Sequence, residues 1–220
     1  MVALAGKAQQ KFEFDGQLST YGSYGPDNPL SGFVGGRYLP RVSYKIPLDT
    51  LHRMIDFEAS ANIYGSLSFH PFDSSYAVGD VQAYRLWARY SGKQFEARLG
   101  LQKIDFGSAT ILRPLQWFNQ IDPRDPLRLT NGVYGGLGRY YFINNANIWI
   151  WALYGNENTR GFEAIPSDPK IPEYGGRIQY PVPKGEIALS YHHRTADATN
   201  IIDSPQYKEI PENRIGVDGK

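Results

Sequence analysis

The sequence predicts an all-β chain, an antiparallel up-and-down sheet of the transmembrane-barrel type, and three observations predict it. Apolar and polar residues alternate with a period of two through most segments. The connections between segments alternate between long and tight, the arrangement of a meander with all its long loops at one end. No run approaches the roughly 20 apolar residues that a membrane-crossing helix needs.

The elements follow in chain order. Phe12, Phe14 and Leu18 share one face of the first segment, with Glu13, Asp15, Gln17 and Ser19 on the other. The second, over 38–46, alternates less cleanly. In the third, Ile55, Phe57, Ala59, Ala61, Ile63 and Leu67 alternate with Asp56, Glu58, Ser60, Asn62 and Ser66. The fourth sets Tyr84, Leu86, Ala88 and Tyr90 against Arg85, Trp87 and Arg89, and the fifth sets Phe95, Ala97, Leu99 and Leu101 against Glu96, Arg98 and Gln102. Between these two, Ser91-Gly-Lys-Gln94 predicts a type II′ hairpin with Gly92 and Lys93 as loop residues. That register would place Arg89 opposite Glu96 and Trp87 opposite Arg98. Weaker alternation predicts strands over 133–142, 176–182 and 186–194. Asn147–Tyr154 is apolar on both faces, as in a buried sandwich strand, or in a strand whose Trp pair points into a wide lumen or lies under an inserted loop.

Long connections are expected at Gly22–Val34, Phe69–Asp80, Gly107–Gly132, Gly155–Gly175 and Thr195–Glu212. Tight ones are expected near Pro47–Thr50, Ser91–Lys93, Ile143–Asn145 and Pro183–Gly185. Aromatics gather at segment ends and predict two girdles. Tyr44, Tyr90, Phe95, Tyr140, Tyr141, Trp149 and Tyr180 would lie towards the tight turns, and Tyr21, Tyr24, Phe69, Tyr84, Phe106, Tyr134, Tyr154 and Tyr191 towards the long loops.

Composition sets the bounds. The chain has 220 residues with 23 Lys plus Arg and 22 Asp plus Glu, a net charge of +1, so no basic face argues for nucleic acid. Tyr (16) and Gly (23) are abundant and Met (2) is scarce, which suits strands and turns. Cysteine is absent, which removes disulfides and thiolate metal sites. A mean hydropathy of −0.44 would ordinarily mark a soluble protein. A barrel strand, however, shows lipid only at every second residue, and its hydropathy averages out.

Met1–Gln10, with small residues at Ala3, Ala5 and Ala8, reads as the tail of a secretory signal or as a disordered N-terminal tail, and residues 11–220 as the barrel. Asn213–Lys220 reads as the start of a tenth strand with nothing to pair beyond it. Because a closed barrel leaves no edge in lipid, the chain is expected to be the N-terminal part, about ten strands, of a longer barrel.

The most distinctive stretch is Arg98-Leu-Gly-Leu-Gln-Lys-Ile-Asp-Phe-Gly107, followed by Pro114-Leu-Gln-Trp-Phe-Asn-Gln-Ile-Asp-Pro-Arg-Asp-Pro126. An Arg-x-Gly-x-Gln strand running into a Gly and then a Pro-rich loop with Asp-Pro resembles outer-membrane porin-like barrels of the alginate-export and phosphate-selective type. The resemblance implies a diffusion channel in the bacterial outer membrane, with lipids and small hydrophilic solutes as its partners and a loop folded towards the lumen. Independently, the loop's apolar residues (Ile111, Leu112, Leu115, Trp117, Phe118, Ile121) need cover, and its charges Arg113, Asp122, Arg124, Asp125 and Arg128 would then line a constriction. Asp122-Pro-Arg-Asp-Pro read alone is a stabilised turn with a local ion pair. Arg85, Arg89 and Arg98, with Arg37, Arg139 and Arg177, could form a basic ladder for anionic solutes. The alternative is pairing with Asp56, Glu58 and Glu96 on neighbouring strands, and mixed pairing with a modest excess of Arg is expected.

Other chemistry finds little support. His192 and His193 point to opposite faces of a strand, and Ser190 shares a face with His192 without an evident third orienting group. No metal-ligand spacing, phosphate loop or cofactor motif is present, Gly135-Gly-Leu-Gly138 lacking the Lys-Ser/Thr of a phosphate loop. No enzymatic activity and no cofactor are therefore expected. The rival reading is a soluble or surface-exposed β-protein that binds glycans or partners through Tyr24, Phe33, Phe72, Tyr76 and Phe162 on its long loops. A monomer and a homo-oligomer are both compatible with the sequence.

Overall fold

A computed structural model describes residues 11–27, 30–49, 53–71, 73–107, 115–119, 129–199 and 208–220. They form one antiparallel sheet whose strands lie side by side in chain order. These are β1 (Lys11–Tyr24), β2 (Gly32–Pro47), β3 (Met54–Phe69), β4 (Ser75–Ser91), β5 (Phe95–Gln102), β6 (Val133–Tyr141), β7 (Asn147–Leu153), β8 (Glu173–Val182), β9 (Gly185–Asp197) and β10 (Glu209–Gly219). The described residues contain no helix. β1 and β10 are the edges, so the ten strands do not close on one another. The segment 1–10, read above as a signal tail, lies outside the described residues, as do Ile111, Leu112, Ile121 and Phe72.

Alternation sorts the side chains onto two unlike faces. On the apolar face, Leu18, Leu86, Leu99, Ile150, Ile178, Ile187 and Ile215 are all more than half exposed. On the polar face, Arg177, Arg194 and Glu173 are only 4%, 3% and 2% exposed. Cross-strand rows explain the first face: Phe12, Tyr44, Phe57 and Ala88 are successive neighbours from β1 to β4. The hydrophobic core lies on the other side of the sheet, where Ile104, Phe106, Leu115, Trp117 and Phe118 from the β5–β6 connection pack on Val133, Leu137, Trp151 and Leu153. That packing resolves the doubly apolar seventh segment. Ile148, Ile150 and Ala152 face outward, and Trp151 stacks on Phe106 at 5.4 Å beneath an inserted loop.

The structure corrects several expectations. The β4–β5 hairpin is offset by two residues: Arg89 pairs with Arg98 and Trp87 with Gly100. The Gly92 N–H donates to Phe95 O (2.8 Å), leaving Lys93 and Gln94 as the loop residues, and Gly92 is not among the positive-φ glycines a type II′ turn requires. A two-residue slip preserves every face, which is why the pattern alone could not detect it. In β4, Tyr84 is a bulge: Ser60 pairs with Arg85 and Ala61 with Ala83, so outward parity changes from Val81 and Ala83 to Leu86 and Ala88.

β2 and β4 begin well before the segments predicted for them, because polar, glycine-containing stretches such as Ser75–Ala83 pair with β3 without alternating. As a result the β3–β4 connection, 70–74, is shorter than the β2–β3 connection, 48–53, and the strict long–short alternation holds only from β4 onward. The turn near Ile143–Asn145 is as expected, with Asn145 at φ 65° and the Phe142 N–H donating to Ala146 O (2.8 Å). Pro40 pairs with Gly16 but falls in a gap of the β2–β3 ladder, as a residue without an N–H must.

Of the predicted girdle residues, Tyr90 and Phe95 form an exposed ring pair near a tight turn, Tyr140 pairs with Phe142, which was not among them, and Tyr134 and Tyr154 are exposed near the long connections. Trp149 and Phe106 do not belong there, since both face the inserted loop's core. The aromatics assigned to long loops are also mostly misplaced: Tyr24, Phe33 and Tyr76 lie in β1, β2 and β4, and Phe162 alone of the described ones lies in a connection.

Candidate functional site: a charged sheet face and the loops that cover it

Two clusters of charge occupy the polar face. The first spans β3 to β6. Arg89 grips Asp56 with two hydrogen bonds (2.9 and 2.6 Å), the geometry that favours a guanidinium over an ammonium. Glu96 sits among three arginines, with Arg98, Arg139 and Arg89 at 3.1, 3.5 and 3.7 Å. Trp87 lies between Arg98 and Arg89, whose guanidinium carbons are 4.7 and 5.4 Å from its ring centroid, and Arg139 lies 3.9 Å from that of Trp149. Counting Arg85 and Glu58 on the same face, four arginines meet three carboxylates.

This cluster is the mixed pairing with modest Arg excess expected from the sequence. Arg85 has a separate role: it is buried and donates to Thr130 O (2.9 Å), holding the return end of the β5–β6 connection against β4. Gln102 is fully buried and its amide donates to Gly135 O (2.9 Å). The five loop charges Arg113, Asp122, Arg124, Asp125 and Arg128 lie outside the described residues.

The second cluster was missed in the sequence, and it is more buried. Arg160 in the β7–β8 connection donates to both oxygens of Glu173 on β8 (2.9 and 2.8 Å) and to Ser167 (2.8 Å). Glu163, its side chain wholly buried, takes Arg160 and Arg194 (both 3.4 Å) and Arg214 (3.1 Å). Glu212 on β10 joins Arg194 to Arg214 (2.7 and 2.6 Å). Three arginines and three glutamates therefore neutralise one another where isolated charges would be prohibitively desolvated. Deeper in the sheet, Arg177 pairs with Asp218 through both terminal nitrogens and lies 5.4 Å from the Phe106 ring centroid.

His192 joins this cluster to the aromatic core. The Trp151 indole N–H donates to His192 Nδ1 (3.2 Å), and an indole can only donate. Nδ1 is therefore bare, and Nε2 carries the ring proton that it donates to Glu173 Oε2 (3.1 Å). Glu173 is the third orienting group not evident in the sequence, where it lies 19 residues before the histidine. Both nitrogens of His192 are thus occupied by Trp151 and Glu173, and the Ser190 hydroxyl accepts from Arg177 (3.0 Å). His193 faces the opposite side, against Tyr174 and Asn213.

The inserted segments seal this face. Phe118 meets His192 edge-on at 4.9 Å, Trp117 stacks on it at 6.2 Å, and Asn119 donates to Ile104 O (2.6 Å), tying the segment 115–119 to the end of β5. Among the described residues no group of His, Cys, Asp and Glu is placed to hold a metal ion. The arrangement sets arginine guanidinium groups beside indole rings, with neighbouring carboxylates keeping the face close to neutral. Compared with protein-family models, with curated proteins and with solved structures, the chain matches none.

Proposed function

We propose that this chain builds a bacterial outer-membrane β-barrel channel through which small hydrophilic solutes diffuse, with the polar face as the lumen and the β5–β6 connection as its constriction. The observation that carries the reading is the inversion of the two faces. A water-soluble sheet buries its apolar face and exposes its charges. Here isoleucines and leucines are more than half exposed across the sheet, while arginines and glutamates lie at 2–4% exposure under loops. Contiguous exposed apolar surface on this scale suits lipid, and a face of paired charges suits a pore wall. The porin-like resemblance of Arg98–Gly107 and 114–126 belongs to the same reading, as does an outer-membrane location. Within it, Arg98, Arg89 and Arg139, exceeding the carboxylates around Glu96, favour anionic solutes.

The test is refolding from urea with and without detergent, followed by unboiled against boiled gel migration and planar-bilayer conductance. A detergent-dependent, heat-modifiable species that conducts is expected. A β-rich monomer stable in plain buffer would overturn the channel reading, and a reversal potential favouring cations would overturn the anion preference alone.

A further inference from the structure

The segment 115–119 is held from two sides, and a glycine makes room for it on each. On the sheet side is Gly216 of β10, where a Cβ would come within 2.2 Å of the Leu115 side chain and 3.2 Å of Trp117. On the other side is Gly161 of the β7–β8 connection, at φ +54°, where a Cβ would come within 2.0 Å of the Gln116 carbonyl oxygen. The first collision involves the end of a flexible side chain. The second involves backbone and cannot be relieved by a rotamer change.

The β7–β8 connection is itself firmly tied. Asp168 N–H donates to Thr195 O and Asp197 N–H to Pro166 O (both 2.9 Å), extending the ladder of β9 by a bridge between Ser167 and Ala196. Arg160 and Glu163, on either side of Gly161, enter the buried arginine–glutamate cluster. By contrast, among the described residues the polar tie of 115–119 is the Asn119 side chain on Ile104 O, and its other contacts described are aromatic and aliphatic packing.

We infer that the β7–β8 connection is a strap that sets the position of segment 115–119, with Gly161 as the positioning residue at the crossing. Resting on the channel reading above, the strap thereby sets the width of the constriction. Given two unequal holds and one collision, the more weakly tied partner yields. A side chain at position 161 would force 115–119 out of its seat between the two glycines rather than displace the strap.

A second strap glycine supplies the control. Gly155 also has positive φ (+75°), but a Cβ there meets nothing within 4 Å. Gly155→Ala and Gly161→Ala therefore impose similar backbone strain, and only the latter collides with the segment. Because the chain contains no cysteine, Leu115→Cys gives a single thiol, at a position now buried, whose reaction with a charged maleimide reports displacement whether or not a pore exists.

In the folded full chain, labelling should accelerate about tenfold with Gly161→Ala, as a local opening equilibrium shifts, and stay near the parent rate with Gly155→Ala. In bilayers, single-channel conductance should change for Gly161→Ala alone. Equal behaviour of the two alanine variants, or no change in either, would overturn the inference. Should Gly161→Ala fail to fold, Gly216→Val presses Trp117 of the same segment, 3.2 Å from a Cβ there, in a contact that survives Leu115→Cys, and should also speed labelling. A parent that does not conduct would remove the channel reading and the constriction-setting role with it, while the labelling contrast still decides whether the strap positions the segment.

Discussion

The two ends of the sheet use the same residue types under opposite conditions. Across β1 and β2, Arg41 pairs with Asp15 while both side chains remain about half exposed, at 52% and 51%. Across the β7–β8 connection and β8, Arg160 pairs with Glu173 at 6% and 2%. The residue types are alike, and the difference is cover: Asp15 and Arg41 face each other across an open strand pair, whereas segment 115–119 and the β7–β8 connection pack over the C-terminal strands. The open pairs can be lost cheaply because water replaces the partner. The covered ones cannot, because a removed partner leaves a charge with neither water nor counter-charge. The energetic centre of the molecule therefore lies towards the C-terminal strands, and the β1–β2 pair is the more open to water.

Four perturbations break or sharpen this contrast. The largest at a single site should be Glu173→Ala, which removes the carboxylate that Arg160 grips and the acceptor for His192 Nε2–H, costing about 3–5 kcal/mol by urea unfolding in detergent. Next is charge on the apolar face. Ala59→Arg with Leu99→Arg should cost about 2–4 kcal/mol per site in lipid if that face meets the bilayer near its midplane, and tolerance of both in plain buffer would sink the membrane reading. Trp151→Phe keeps the ring contacts but deletes the proton given to His192, and should cost about 1–2 kcal/mol in the same titration. Arg41→Gln is the smallest: its pair is open to water, and the urea midpoint should stay within error of the parent. A large loss there would show that the β1–β2 face is covered after all.

Much of the sheet was legible in the chain because alternation has only two phases. Ile55 to Leu67 announced both faces of β3, and Phe95 to Gln102 gave β5 its bounds. Legibility failed where alternation was silent. Ser75–Ala83 pairs along its whole length with β3, yet its side chains carry no two-faced pattern. The Tyr84 bulge changes parity in the middle of a strand, and a two-residue slip in the next hairpin moved Arg89 from Glu96 to Arg98 without turning a side chain over.

Candidate-site residues divided the same way. Arg89, Arg98 and Glu96 were found because strand neighbours bring them together. Arg160, Glu163 and Glu173 were missed because their meeting depends on where a loop folds. Two signals did point there: Asn147–Tyr154, apolar on both faces, had cover by an inserted loop as one of its readings, and the apolar residues Leu115, Trp117 and Phe118 required a place to go.

The sequence by itself determined an all-β chain, the two faces of the strands that alternate cleanly, such as β3 and β5, and the need of one connection for an apolar bed. Each follows from a period of two and from the cost of leaving such surface in water. The tertiary structure alone decided which loop lies over which strands, which arginine meets which glutamate, and that Gly161 and Gly216 clasp one segment between them. Those contacts join residues far apart in the chain, such as Arg214 and Glu163, 51 positions apart. Their pairing is set by loop closure and burial, for which a linear pattern has no period.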